Sequence, residues 1–389
     1  MMYDDKTLIH YFNHHQDRDA VIHFVDHLIQ EALDKHVSDI HLEPYENHYR
    51  IRFRQDGLLY EVVQLAKHFS MPITTRIKIM ANLNIAEHRL PQDGRIKWNQ
   101  SNNIDIRVST CPILFGEKIV LRILNNAKFN LDIALLGLTP TQEKIFLSKL
   151  KQPQGLILVT GPTGSGKTMT LYAALHYLNR VEKNICTVED PVEIELRGIN
   201  QINVHQKIGF DFACALRAIL RQDPEVIMIG EIRDSETAKI AMQAAQTGHL
   251  VLSTLHTNSA AETLMRLQSI GIQEFEIMNA ISLIISQRLI RKLCHQCKKP
   301  SLSHQQEIST LIYQAVGCQY CLHGYQERIG IFELIPMTAH SQNIFRYNNL
   351  NDLSSAMRKE GWLSLNDIAQ EKVNHGETTF EELDRVLAS

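Results

Sequence analysis

Apolar residues between Ala20 and His36 recur at three- and four-residue steps, at Val21, Ile22, Val25, Leu28, Ile29, Ala32 and Leu33. That spacing predicts one amphipathic helix, with Asp19 as its cap. The period then shortens. Ile40-His41-Leu42 alternates, Tyr49 to Arg54 alternates strictly, and after Gln55-Asp56-Gly57 the alternation resumes from Leu58 to Val63. This predicts a β-hairpin with a glycine-containing turn. Residues 72–85 return to helical spacing, Gln92-Asp93-Gly94 reads as a turn, and Arg95–Trp98, Ile104–Val108 and Lys118–Ile123 read as strands. An α+β domain is expected over 19–124, behind a flexible N-terminus at 1–18.

Residues 125–140 read as a linker that ends in Thr139-Pro140, a helix start with threonine as cap and proline in the first turn. Beyond it, Leu156–Thr160, Ile185–Glu189, Val226–Gly230 and Leu250–Thr254 are apolar and alternate with helical stretches. The rhythm predicts an α/β fold over 141–389, a mainly parallel sheet covered by helices. Ile281–Ile285 has the length of a core strand or core helix, and the tail at 338–389 reads as polar helices.

The 389 residues, 44% hydrophobic and 21% charged, fit two or three globular domains. Lys plus Arg number 40 against 43 Asp plus Glu, a formal charge of −3, so a role in coating nucleic acid is not expected. No apolar run approaches the ~18 residues of a membrane span, and residues 1–18 lack the basic start and apolar centre of a signal peptide. The expected location is the cytosol. Three of the seven cysteines (Cys111, Cys186, Cys214) are scattered and four form two tight pairs, unlike a secreted disulfide framework. The His14-His15 pair reads as solvated chain.

Gly161, Pro162, Thr163, Gly164, Ser165, Gly166, Lys167 and Thr168 match the P-loop pattern between an apolar strand and the helical stretch Met169–Leu178. Glycines let backbone N–H groups turn toward a phosphate, and the helix N-terminus adds positive dipole. Lys167 is expected to reach the β- and γ-phosphates of ATP, and the Thr168 hydroxyl to ligate Mg²⁺. Val226–Ile229 ends in Gly230-Glu231, where Gly230 stands at the position that usually carries a Mg²⁺-binding Asp. Glu231 is thus the acidic group left to orient the attacking water. Glu189, at the end of another strand, begins an acidic segment suited to water activation or outer metal contacts; a turn begun by Asp190-Pro191 is the alternative. His256 follows the strand Leu250–Thr254 and is either a γ-phosphate sensor or a structural histidine.

Cys294-x₂-Cys297 and Cys318-x₂-Cys321 are separated by 20 residues, the spacing of a four-thiolate structural Zn²⁺ site within an insert at 291–325. Arg291, Lys292, Lys298 and Lys299 lie nearby to offset the thiolate charge. A redox dithiol is the alternative.

From about residue 20 onward the chain resembles the secretion-type ATPases of type II secretion and type IV pilus assembly. The resemblance rests on the P-loop, Thr187-Val-Glu-Asp-Pro-Val-Glu193, Ile229-Gly-Glu-Ile-Arg-Asp234 and the histidine segment 247–257. It rests also on Ser38–Pro44, Arg89–Arg95 and Asp105–Ser109. It implies a homohexameric ring whose subunits pair a PAS-like N-terminal domain with a RecA-like ATPase domain, working on an inner-membrane platform protein from the cytoplasmic face. The family's atypical second nucleotide motif accounts for Gly230. Arginines of the N-terminal domain reach the γ-phosphate in this family, and Arg95, Arg107 and Arg122 match them. The four-cysteine insert favours pilin or pseudopilin assembly; a retraction or conjugative-secretion ATPase, a nucleotide-gated scaffold without turnover and a nucleic-acid translocase are the alternatives. Assembly members usually carry a further N-terminal platform-docking domain, and only 1–18 precede the α+β domain here. A different recruitment route, as in a short competence-pilus system, is therefore expected.

Overall fold

The computed structural model describes residues 18–98, 104–124, 131–303, 310–345 and 350–387. Of the expected flexible terminus only Arg18 is among them, and it opens a helix. The chain divides into two units, at 1–129 and 130–389.

In the first unit, helix Arg18–Asp34 precedes strands β1 (Asp39–Pro44), β2 (His48–Gln55) and β3 (Leu58–Ala66). Helix Ser70–Met80 then leads to β4 (Gln92–Trp98), β5 (Ile104–Ile113) and β6 (Gly116–Leu124). Every neighbouring pair is antiparallel, in the order β3-β2-β1-β6-β5-β4. Alternation sends Ile40, Leu42, Ile51, Phe53, Ile106, Val108, Ile119 and Leu121 into a core shared with Val25, Ile29, Ile73 and Ile77 of the two helices. The other face is charged. There Glu43 pairs with Arg50 (3.0 Å), Arg52 (2.8 Å) and Lys118 (3.0 Å). Burial works to raise its carboxyl, but these three cations hold it at about 2.

Three local expectations need correction. Asp19 lies inside helix Arg18–Asp34 and does not cap it. The second helix ends at Met80, not at 85, because Asn82 adopts a left-handed φ of 56° and stops it. Gln92-Asp93-Gly94 is the start of β4, not a turn. A Cβ on Gly94 would lie 2.7 Å from the Ala81 carbonyl oxygen and 2.8 Å from Leu83 Cδ2, so this glycine serves close approach of neighbouring chain within a strand.

In the second unit, Ile133 is buried and Leu131, Leu136 and Leu138 pack against the core. Residues 125–130 of the expected linker lie outside the described residues. Thr139 caps helix Pro140–Leu150 through a reciprocal pair of hydrogen bonds with Gln142 (3.1 and 3.3 Å), as its sequence predicts. Strands β7 (Gly155–Thr160), β8 (Ile185–Glu189), β9 (Asn200–Asn203), β10 (Val226–Ile229), β11 (Leu250–Leu255) and β12 (Ile281–Leu293) follow. A two-stranded ribbon, β13 (Lys299–Ser303) with β14 (Thr310–Gln314), precedes β15 (Tyr325–Pro336). The main sheet runs β15-β12-β7-β11-β10-β8-β9 and is parallel apart from β12–β15. The expected α/β architecture is present.

Both sheet faces are apolar. Ile157, Val159, Leu283 and Ile285 meet Leu171 and Leu175 of helix Lys167–Leu178 on one side. Leu156, Leu158 and Ile284 meet Ala241 of helix Ser235–Gln246 and Leu264 of helix Ala260–Ser269 on the other. Helices Leu365–Asn374 and Phe380–Leu387 pack against Ile290 and Ile331 near the far end of the β12–β15 pair. There Glu382 is fully buried and accepts from Arg291 (2.6 Å) and Arg385 (2.5 Å). Among the described residues no helix is long and apolar enough to cross a membrane.

Candidate active site and metal centre

Strands β7, β10 and β11 lie side by side and parallel, so the loops that leave their C-terminal ends converge on one crevice. A cavity of about 450 Å³ opens there, lined by Thr163, Gly164, Gly166, Lys167, Thr168, Glu189, Asp190, Glu231, His256 and Arg328. The sequence motifs carrying Lys167, Thr168, Glu189, Glu231 and His256 are therefore brought together within one unit. Arg95, Arg107 and Arg122 belong to the other unit, on β4, β5 and β6.

Gly164 and Gly166 hold left-handed backbone, φ 81° and 87°, which opens the loop and starts the helix at Lys167. No atom stands within 4 Å of where a Gly164 Cβ would be. Lys167 is 8% exposed and donates to the Gly161 (2.8 Å) and Pro162 (3.0 Å) carbonyls. Burial lowers its ammonium to about 8, against Glu231, which raises it; Arg288 lowers it further. Among the described residues the buried Ser165 hydroxyl finds no hydrogen-bond partner. A desolvated cation, an unsatisfied hydroxyl and an open glycine cradle fit a phosphate chain.

Glu231 accepts from the Arg233 guanidinium and lies 3.3 Å from His256 Nε2. Burial pushes this carboxyl up, but Arg233 and His256 outweigh it and hold it below the usual range, ionised at neutral pH. The strand ends are fixed by Thr254 Oγ1, which donates to the Gly230 carbonyl (2.7 Å), and by Ile232 N–H, which donates to the Thr254 carbonyl (3.0 Å). Gly230 itself is crowded. A Cβ there would meet the Val188 carbonyl oxygen at 3.3 Å and Glu189 Cα at 3.5 Å. Tight spacing against β8 thus disfavours a larger residue at the position where an Asp is usual.

Glu189 is 3% exposed, and both its oxygens are occupied. Tyr172 O–H donates to one, while Thr187 Oγ1 (2.6 Å) and Gln201 Nε2 (3.2 Å) donate to the other. Tyr172 also accepts from Glu193 N–H (3.2 Å), so the acidic segment hangs on that phenol. Burial first, then Glu189, pushes the Tyr172 hydroxyl upward, keeping it a donor. Tyr172 and Arg233 were not singled out from the sequence. Tyr172 carried a signal, since it lies five residues after Lys167 on the same helix, and Arg233 lies inside a motif already singled out.

The four paired cysteines come together at the base of the β13–β14 ribbon. Sγ separations are 3.9 Å for Cys294–Cys318 and 3.7 Å for both Cys297–Cys321 and Cys318–Cys321, with all four sulfurs within 4.8 Å of one another. A tetrahedral ion bonded at ~2.3 Å requires S···S edges of about 3.8 Å, so the donor set fits Zn²⁺. Of the four cations expected to offset the thiolate charge, two pair with carboxylates and Lys298 meets a neutral carbonyl. Arg291 is committed to Glu382, Lys292 to Glu327 (3.3 Å), and Lys298 to the Gly376 carbonyl (2.7 Å). Cys318 N–H instead donates to Cys321 Sγ (3.2 Å).

A family model described as "Type II/IV secretion system protein" matches residues 14–385. The chain is 49% identical over 384 residues to the type IV pilus assembly ATPase PilB of Pseudomonas aeruginosa, spanning 95% of this chain and 68% of that one. It is 44% identical over 381 residues to type II secretion system protein E of Klebsiella pneumoniae, spanning 95% and 76%. The crystal structure of the pilus retraction motor PilT with bound ADP superposes with a TM-score of 0.62 at 28% identity, covering 91% and 94%.

Proposed function

This chain belongs to the type II/IV secretion system protein family, and on that premise we propose that it is a hexameric ATP-driven motor assembling pilin or pseudopilin fibres. It hydrolyses ATP. The observation that carries this reading is the single cavity joining Lys167 and Thr168 to the ionised Glu231 and its neighbour His256. Lys167 holds the β- and γ-phosphates, and Thr168 would hold Mg²⁺, which supplies neutralising charge when bound. Glu231, ionised and oriented by Arg233, takes the proton of the attacking water, while His256 steadies the same carboxylate. Glu189 keeps the acidic segment in place through Tyr172. We infer from the family resemblance that Arg95, Arg107 and Arg122 supply positive charge to the γ-phosphate.

Cys294, Cys297, Cys318 and Cys321 would hold Zn²⁺, which would tie their two chain turns together. The motor acts at the cytoplasmic face of the inner membrane on a platform protein. The cysteine site and the likeness to assembly ATPases support assembly over retraction. Measured phosphate release from ATP with magnesium tests the enzyme, and absence of any ATP affinity in the purified ring would overturn it. Direction is tested in cells: loss of the chain should abolish fibres, whereas surplus fibres would identify a retraction motor.

A further inference from the structure

β12 was expected only as a short apolar core segment, yet its middle reads Ser286-Gln287-Arg288, three polar residues at 0%, 2% and 6% exposure. Buried polar groups are costly without partners, so their partners show what they are for. Successive strand side chains point to opposite faces. On the face that holds the P-loop helix, Gln287 Oε1 accepts from Thr170 Oγ1 at 2.7 Å. The same residue backs the phosphate loop itself. Cβ atoms on Gly161 and Gly166 would stand 2.4 Å from the Gln287 carbonyl oxygen and 2.9 Å from Gln287 Nε2. On the other face, Arg288 Nη2 donates to the Asn258 carbonyl (3.0 Å) and Oδ1 (3.3 Å), and Ser286 Oγ donates to that carbonyl (3.2 Å). Asn258 lies two residues beyond His256. Arg288 Nη1 also donates to the Gln287 carbonyl (3.1 Å), the oxygen packed under Gly161.

We propose that Gln287 and Arg288 are the positioning residues of the nucleotide site, Gln287 shaping the phosphate loop through Thr170 and Arg288 holding the His256 loop through Asn258. One strand thereby sets the separation between the phosphate cradle and the carboxylate–imidazole pair. The inference rests on the ATPase reading and deepens it. Both residues act through others, so their effects separate by parameter. An ill-shaped phosphate loop binds ATP less well, whereas a displaced His256 loop slows the chemical step.

The experiment compares Gln287→Leu, Thr170→Val, their combination and Arg288→Gln, by equilibrium binding of ATP with magnesium and by steady-state kinetics. Gln287→Leu and Thr170→Val should each raise Kd and KM roughly tenfold, the loss of one buried hydrogen bond, with kcat within about twofold. The double variant should be no worse than either single one. Arg288→Gln should lower kcat roughly tenfold with KM within about threefold. Wild-type Kd in Gln287→Leu and Thr170→Val, wild-type kcat in Arg288→Gln, or fully additive losses in the double variant would overturn the assignment, as would variants that lose thermal stability without separating KM from kcat. Should Gln287→Leu fail to fold, Thr170→Val carries the same decision. A wild-type chain that binds no ATP defeats the ATPase reading itself; a wild-type chain that binds ATP no better than Gln287→Leu and Thr170→Val defeats only this inference.

Discussion

Arg107 on β5 and Arg122 on β6 are register partners, so two guanidinium-bearing residues stand directly opposite each other on the charged face of the first unit's sheet. Arg95 on β4 is in turn the register partner of Arg107. The row continues from Arg122 to Asp39, which accepts from Arg122 Nε at 3.0 Å. Like charges placed opposite each other destabilise a sheet by a few tenths of a kcal/mol. The proposed contact of this row with the γ-phosphate would offset that cost.

Arg107→Thr therefore separates stability from activity. Thermal melting should be unchanged or slightly higher, since a like-charge neighbour of Arg122 is removed, while kcat should fall at least roughly tenfold. Phosphate-release rates at saturating ATP check this. Undiminished turnover would remove the arginine row from the reaction.

Lys167→Ala should reduce turnover at least ~10²-fold by removing the buried cation from the phosphates. The wild type carries a pH signature of the same residue. With its ammonium at about 8 in the free protein, Lys167 is charged both free and bound well below that pH. A bound polyanion favours the charged form, so ATP binding takes up a proton once pH exceeds about 8, and affinity falls as pH rises further. Calorimetric titration at pH 7 and pH 9 measures it; equal affinities would contradict the role given to Lys167.

Glu231→Gln should hold ATP with near wild-type affinity and split it roughly 10²–10⁴ times more slowly, because the amide accepts no proton from water. Rapid ADP formation in single-turnover mixing would argue against Glu231 as the base.

Cys294→Ser should lower zinc content and melting temperature together, as expected where metal binding and folding share free energy. Elemental analysis showing one zinc per chain in a variant of unchanged stability would refute a four-thiolate site.

The second unit was legible where apolar runs meet ligand motifs. Ile185–Glu189 and the Thr139-Pro140 helix start appear as their residues predict, because apolar spacing and capping chemistry act locally. The middle of β12 was not legible. Ser286, Gln287 and Arg288 break the apolar run for the sake of loops distant in sequence, and hydrophobic pattern carries no trace of such partners. Gly94 misled for a related reason: a glycine demanded by the approach of Ala81 and Leu83 looks, in sequence, like one demanded by a turn. Pairing the four cysteines needed no contact information, since spacing alone brings two short bites to one ion.

Glu382 and Arg291 pair at 2.6 Å across 91 positions of sequence, and Arg385, three positions on, meets the same carboxylate at 2.5 Å. During synthesis, the strand leading into Cys294 leaves the ribosome well before helix Phe380–Leu387 does, so Arg291 waits for its carboxylate until that helix emerges. Closure of this corner thus trails the emergence of its strand by about ninety residues of synthesis, and a premature stop just upstream of Glu382 would yield a nascent product exposed to cellular proteases however sound its phosphate loop.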